Sequence, residues 1–130
     1  MSQADVDITE QFLKAFAAGD VETVFAMIHP DCIVDEGQGL PYAGEYVGPA
    51  GLQDLVGKIM TPMEMVVDAF DVSDAGDCAV ARIGLTFTSR SSGRVVTMPT
   101  IELYETRDGK VSKIDIYYKS TQAIADLVTG

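Results

Sequence analysis

The sequence predicts an α+β fold in which helices pack on one face of a curved antiparallel sheet, and three observations carry that expectation. Helical apolar periodicity is gathered before Pro62. Four strand-like segments separated by turn signals follow it, and a short amphipathic segment closes the chain. The expected order is helix, helix, strand, helix, four strands, helix. With 130 residues the chain suits one domain, taken as residues 1–130.

The first helix is marked by Asp7-Ile-Thr-Glu10, which reads as a capping box, and by Ile8, Phe12 and Phe16 recurring on one stripe. Gly19 ends it, and Asp20 caps a second short helix that buries Val24, Phe25 and Ile28. His29-Pro30-Asp31 stops that helix, because the residue before proline avoids the helical region. Cys32–Glu36 reads as a strand, and Gly37–Gly44 is too rich in breakers to be anything but loop. Pro49 suits the first turn of a third helix carried by Leu52, Leu55, Val56, Ile59 and Met60. Strands are expected at about 64–73, 77–90, 94–106 and 110–119, the last two joined by a two-residue turn at Asp108-Gly109. Ser120 or Thr121 caps the closing helix, with Ile124, Leu127 and Val128 inward.

Composition narrows the function. Hydrophobic residues make up 47% and charged residues 22%, enough apolar content for a core. A net charge of -11 argues against nucleic acid and against an anionic membrane surface. No apolar run approaches the ~20 residues of a membrane helix, and the start lacks a signal-peptide pattern. A cytoplasmic location is expected. Cys32, Cys78 and the lone His29 cannot complete a zinc set, so no metal and no organic cofactor are expected. His29 itself reads as a solvated or capping residue.

The helix and strand order, with Phe16-Ala-Ala-Gly-Asp20, Ile28-His-Pro-Asp31, Leu40-Pro-Tyr-Ala-Gly44, Ser92-Gly-Arg94 and Arg107-Asp-Gly-Lys-Val111, resembles the superfamily of nuclear transport factor two, SnoaL-type cyclases and ketosteroid isomerases. The resemblance covers about residues 5–128. It implies a cone-shaped, strongly curved sheet with helices on its concave side, an apolar cavity between them, and often a homodimer. It does not choose among isomerases, dehydratases, epoxide hydrolases, cyclases and plain binding modules.

A two-residue turn between Arg107 and Lys110 makes facing positions sum to 217. Leu103 then opposes Ile114, Ile101 opposes Ile116, Glu102 opposes Asp115 and Tyr104 opposes Lys113. The aliphatic phase is assigned to the concave side. The expected ligand-binding residues are therefore Phe12, Phe16, Val34 and Met60 with Ile83, Leu85 and Phe87. Ile101, Leu103, Ile114 and Ile116 complete that wall. On the convex face Arg82 is expected between Glu102 and Asp115, with Tyr104, Lys113 and Tyr117 beside it, a surface suited to a homodimer.

By resemblance, Glu36 falls where ketosteroid isomerases carry a proton-shuttling aspartate, and apolar burial would raise its pKa toward the working pH. The tyrosine that stabilises the enolate in those enzymes matches Phe12. The assisting protonated aspartate falls near Ile101, unless a bulge before Pro99 brings in Thr100 or Glu102. In ketosteroid isomerases that tyrosine and aspartate together form the oxyanion hole. The Asp-Arg-Asp set of limonene-epoxide-hydrolase-like relatives falls on Ile83, Leu85 or Gly84, and Ile116. The acid of SnoaL-type cyclases also falls on Ile116, with Asp115 in the outward phase. Tyr118 and Tyr42 are candidate donors to a substrate oxygen. The expectation is an isomerase, cyclase or dehydratase acting on a small hydrophobic carbonyl or polyketide-like ligand, with Glu36 moving the proton. The alternative is a non-catalytic ligand-binding or dimerisation domain.

Overall fold

A computed structural model describes residues 3–129. The elements are α1 (Gln3–Ala18), α2 (Val21–Ala26), β1 (Ile28–Glu36), β2 (Gly44–Val47), α3 (Gly48–Met60), β3 (Met63–Asp74), β4 (Ala79–Ser89), β5 (Val95–Arg107), β6 (Lys110–Tyr118) and α4 (Thr121–Thr129). The strands form one curved, unclosed sheet in the order β2-β1-β6-β5-β4-β3. β1 and β6 run parallel, and every other neighbouring pair is antiparallel. Helix α1 packs across β3 to β6 and α3 across β1 to β3, burying the apolar stripes of both against the sheet.

Local chemistry accounts for most of these boundaries. Asp20 caps α2, its carboxylate accepting from the Thr23 backbone N–H at 3.3 Å and from the Thr23 hydroxyl at 2.7 Å. The Ser120 hydroxyl likewise accepts from the Ala123 N–H at the start of α4, 3.1 Å away. Helix α1 begins at Gln3, earlier than the Asp7 capping box suggests. Asp7 instead lies within the helix and accepts from the Gln3 side chain one turn before it, at 2.9 Å. Strand β1 begins at Ile28, so His29 and Pro30 sit in an irregular stretch between the pairs Ile28–Val111 and Ile33–Lys113. Strand β2 falls between the expected loop, Gly37–Gly44, and Pro49, where the sequence reading assigns no element. Its four residues carry one inward side chain, Tyr46, and pair with Ile33–Glu36.

The β5–β6 hairpin decides what faces inward. Asp108 (φ 55°) and Gly109 (φ 74°) form the two-residue turn, and Arg107 faces Lys110 with Thr106 facing Val111, as the spacing requires. Ser112 is then an extra residue in β6, and beyond it Glu105 faces Lys113 and Glu102 faces Ile116. A slip of one residue moves a strand's side chains to the other face. Thr100, Glu102 and Tyr104 therefore point inward, while Ile101 (37% exposed) and Leu103 point outward. The expected placement of Ile101 and Leu103 in the pocket is corrected by this bulge. Ile114, Ile116 and Tyr118 keep the inward phase because the bulge is in β6 before them.

The same shift dissolves the expected Arg82–Glu102–Asp115 cluster. Arg82 pairs with Asp71 at 3.0 Å on an exposed surface, Glu102 lies on the opposite side of the sheet, and Tyr104 is 1% exposed in the core. Lys113, Asp115 and Tyr117 remain on the outer face. A second bulge, at Asp68 in β3, lies opposite Gly84 and places the Asp68 carboxylate 2.6 Å from the Thr86 hydroxyl that donates to it.

Gly48 ties β2, α3 and the irregular part of β1 together. Its φ is +68°, and a Cβ there would come within 2.6 Å of the Pro30 carbonyl oxygen. Gly57, within the same helix, has open space where a Cβ would go. Gly48→Ala should therefore destabilise the fold by about 1–3 kcal/mol. Gly57→Ala should stabilise it by about 0.5–1 kcal/mol, and urea unfolding of the two variants checks the opposite signs.

Candidate functional site

Alternation along four strands delivers a common set of side chains to the concave face. Strand β1 contributes Val34 and Glu36, β4 Ile83 and Leu85, β5 Glu102 and Tyr104, and β6 Ile114, Ile116 and Tyr118. Phe12, Leu13 and Phe16 of α1, Leu52, Leu55, Val56 and Ile59 of α3, and Met65 and Val67 of β3 close over them. The cavity, partly open to solvent, is about 70 Å³. Drug-sized ligand sites are larger, on the order of 300–1,000 Å³, so the space as it stands suits a small ring.

The walls are apolar except for Glu36, Glu102, Tyr104 and Tyr118, which come from the three adjacent strands β1, β6 and β5. Glu36 is 3% exposed, and its Oε1 has no hydrogen-bond partner among the described residues. Burial raises its pKa to about 9, helped by the nearby charges of Glu102 and then Asp35. Glu102 is raised to about 7, again chiefly by burial. The Tyr104 hydroxyl donates to its Oε1 at 2.6 Å and holds the rise back by favouring the carboxylate. Charge on one carboxyl makes the other harder to ionise, and the protons leave the pair in two steps.

The tyrosines form a second polar couple. The hydroxyls of Tyr42 and Tyr118 lie 2.9 Å apart with their rings edge to face, and burial keeps both phenols protonated. If Tyr42 donates, the Tyr118 proton is free to point into the cavity. Tyr42 is outside the lining and reaches the cavity only through Tyr118. It is held from the other side by the Tyr46 hydroxyl, which donates to the Tyr42 carbonyl at 2.9 Å.

Among the residues singled out from the sequence, Glu36, Tyr118, Phe12, Phe16, Val34, Ile83, Leu85, Ile114 and Ile116 come together around one cavity. Five others do not line it, Tyr42 among them. Ile101 and Leu103 are on the far side of the sheet, Phe87 is buried behind Tyr118 with ring centroids 6.1 Å apart, and Met60 packs at the end of α3. Phe87 stands one strand-step beyond Leu85, past the end of the cavity, where it supports the Tyr118 ring. Sequence reasoning misses Tyr104 as a lining residue and reaches Glu102 only through a bulge near Pro99. Both are brought inward by the Ser112 bulge, which nothing in the local sequence announces. His29 is remote from the cavity, bonded within the β5–β6 turn to Arg107 and Asp108. The described residues contain no group of three His, Cys, Asp or Glu placed to hold a metal ion. No described helix is long and apolar enough to cross a membrane.

A family model for the SnoaL-like domain matches residues 9–114, spanning α1 to the middle of β6. The chain belongs to the SnoaL-like family. Solved structures agree on the fold of this SnoaL-like domain. TerC, co-crystallised with polyporic acid, is 21% identical with a TM-score of 0.86, over 98% of this chain and 100% of its own. A nuclear-transport-factor-two-like protein of unknown function from Burkholderia pseudomallei gives the same identity and score over the whole of both chains. A candidate polyketide cyclase from Xanthomonas campestris is 18% identical with a TM-score of 0.82, over 96% of this chain and 97% of its own. A search of curated proteins returns no significant match.

The buried Glu36 gives the domain a distinct pH signature. A carboxyl whose folded pKa is raised keeps its proton in the native state while the unfolded chain loses it. Stability is unaffected below the unfolded value of 4.5 and falls as pH rises from there toward about 9. Glu36→Gln should therefore be more stable than the parent at pH 9, by on the order of 3 kcal/mol, and nearly equal to it at pH 4. Urea melts at the two pH values measure the difference.

Proposed function

We propose that this SnoaL-like domain is a cofactor-independent enzyme that moves a proton on a small hydrophobic carbonyl or polyketide-like compound, in an isomerase, cyclase or dehydratase reaction. The observation that carries the reading is Glu36, a carboxyl buried in an apolar cavity with an unpartnered oxygen. Leaving a buried polar atom unsatisfied costs roughly 1–3 kcal/mol, and active sites are where such costs recur. TerC, a protein of the same fold, was co-crystallised with polyporic acid, which supports a small organic compound as the class of guest.

Glu36 carries the transferable proton. Glu102, steadied by Tyr104, supplies the complementary charge, and Tyr118, oriented by Tyr42, donates to the oxygen that gains electron density. Between the two ionisation steps, about 7 and about 9, the carboxyl pair holds one proton and one negative charge. That is the stoichiometry of one acid and one base, so the active form is confined to this window. A drop in dielectric when the guest displaces water strengthens each of these contacts.

A non-catalytic role, binding a ligand or serving dimerisation, is the second reading. It is favoured by the small cavity volume. A homodimer through the convex face fits the β3–β5 half of the sheet, where Val66, Val95 and Ile101 are exposed. A cytoplasmic location fits the two free cysteines, Cys32 and Cys78.

A thermal-shift screen of hydrophobic carbonyl compounds, followed by deuterium exchange into any binder, tests the enzyme reading. Glu36→Gln should bind but lose about 10²–10⁴-fold in exchange rate. The rate should peak between pH 7 and 9, and Tyr104→Phe should move the acidic limb to higher pH, because Glu102 loses the hydrogen bond that favours its ionised form. Binding without exchange, unchanged by Glu36→Gln, would establish the second reading.

A further inference from the structure

Two carboxyls look into one apolar space that offers them no positive charge. Glu102 pairs with Ile116 across β5 and β6, and Asp35 pairs with Asp115 one residue before Glu36 and Ile116. Glu36 and Glu102 therefore flank Ile116 on the concave face, and all three line the cavity. Strands ~4.8 Å apart put the two backbones ~10 Å from each other. The curve of the sheet tilts the side chains of its concave face toward one another. Glu102 is half-buried, so a guest in the cavity reaches it.

Hydrogen-bond capacity in this space is unbalanced. The Tyr104 hydroxyl already donates to Glu102, and the Tyr42 and Tyr118 hydroxyls share a bond, which leaves one phenol proton to point inward. The Glu36 carboxyl has an oxygen without a donor, and no Lys, Arg or His lines the cavity. A carbonyl oxygen brings only acceptor capacity, which the Tyr118 proton meets, and leaves the two carboxyls as they are. Hard metal ions take roughly six to eight oxygen ligands, far more than walls of Phe, Leu, Ile and Val supply. An ammonium group carries the missing charge and three N–H donors on one atom, and the apolar walls suit the hydrocarbon attached to it. Its N–H···O contacts of ~2.9 Å on either side, added to two glutamate side chains, span the distance across Ile116.

We propose that the cavity binds a small hydrophobic primary amine as its ammonium ion, the hydrocarbon against the apolar lining and the N–H groups on Glu36 and Glu102. The inference rests on the cavity as a ligand site and not on proton transfer within it. An ammonium ion between the carboxyls takes the place of the proton they share, because a nearby positive charge favours the ionised form of both. A bound amine therefore removes the acid of the pair and blocks proton transfer to a carbonyl guest.

The test is a titration of benzylamine into carbon-13-labelled protein, following the side-chain carboxyl carbons, with benzyl alcohol as the neutral control of the same shape. Saturable shifts at Glu36 and Glu102, absent with the alcohol, are expected at pH 8. Affinity should be about tenfold lower at pH 6, where Glu102 is largely protonated and the pair is neutral. Glu102→Gln should weaken binding about tenfold or more. The comparison of amine with alcohol and the pH series use the parent protein, so they decide the matter even where Glu102→Gln fails to fold. Benzyl alcohol binding as tightly as benzylamine would overturn the proposal, as would benzylamine shifts confined to the surface carboxylates. Deuterium exchange into a carbonyl guest with no benzylamine binding would overturn it too and leave the enzyme reading standing. Benzylamine binding without exchange into any carbonyl compound would do the reverse.

Discussion

The extra residue at Ser112 sets the phase of β5 against β6, and through β5 it sets what the concave face is made of. Side chains in a sheet alternate with a period of two, so one inserted residue exchanges the two faces of the partner strand. Without it, Ile101 and Leu103 would fill the space under α1 and Glu36 would be the one carboxyl in the cavity. With it, Tyr104 takes that space, its ring 5.9 Å from that of Phe12, and Glu102 enters the cavity on the same alternation. Burial of the aromatic ring offsets burial of the carboxyl that accompanies it.

The consequences for electrostatics follow from that placement. Two carboxyls face one apolar space whose lining holds no cationic side chain, so they cannot both ionise easily. Glu102 is the easier of the two because Tyr104 donates to it, while Glu36 has no such donor. Burial raises both, the Tyr104 hydroxyl holds Glu102 back, and the charges of Glu102 and Asp35 push Glu36 further. The sheet thus builds two unlike carboxyls from one residue type.

The two faces of the sheet diverge at the end of β1. Asp35 and Glu36 are consecutive, so the first lies on the outer face, opposite Glu45 and Asp115, and the second on the cavity wall. The strand ends there, and its pairing with β6 ends one residue earlier.

The sequence by itself determined the element order apart from β2, the Asp108-Gly109 turn, the cap at Asp20, and the inward phase of β1, β4 and β6. Each rests on local chemistry or on apolar alternation that survives in a single segment. Glu36 was legible because it continues the inward alternation of Cys32 and Val34 to the strand end, and because the resemblance marks that position. Only the tertiary structure decided the phase of β5. Val95–Arg107 alternates aliphatic residues with Thr, Glu and Tyr in both phases, so its own pattern permits either face. The choice was made by its neighbours, β4 with its buried Ala79, Ala81 and Ile83, and the bulged β6. Strand β2 escaped for a related reason, since four residues with one buried side chain hold their place through pairing with β1 rather than through any pattern of their own.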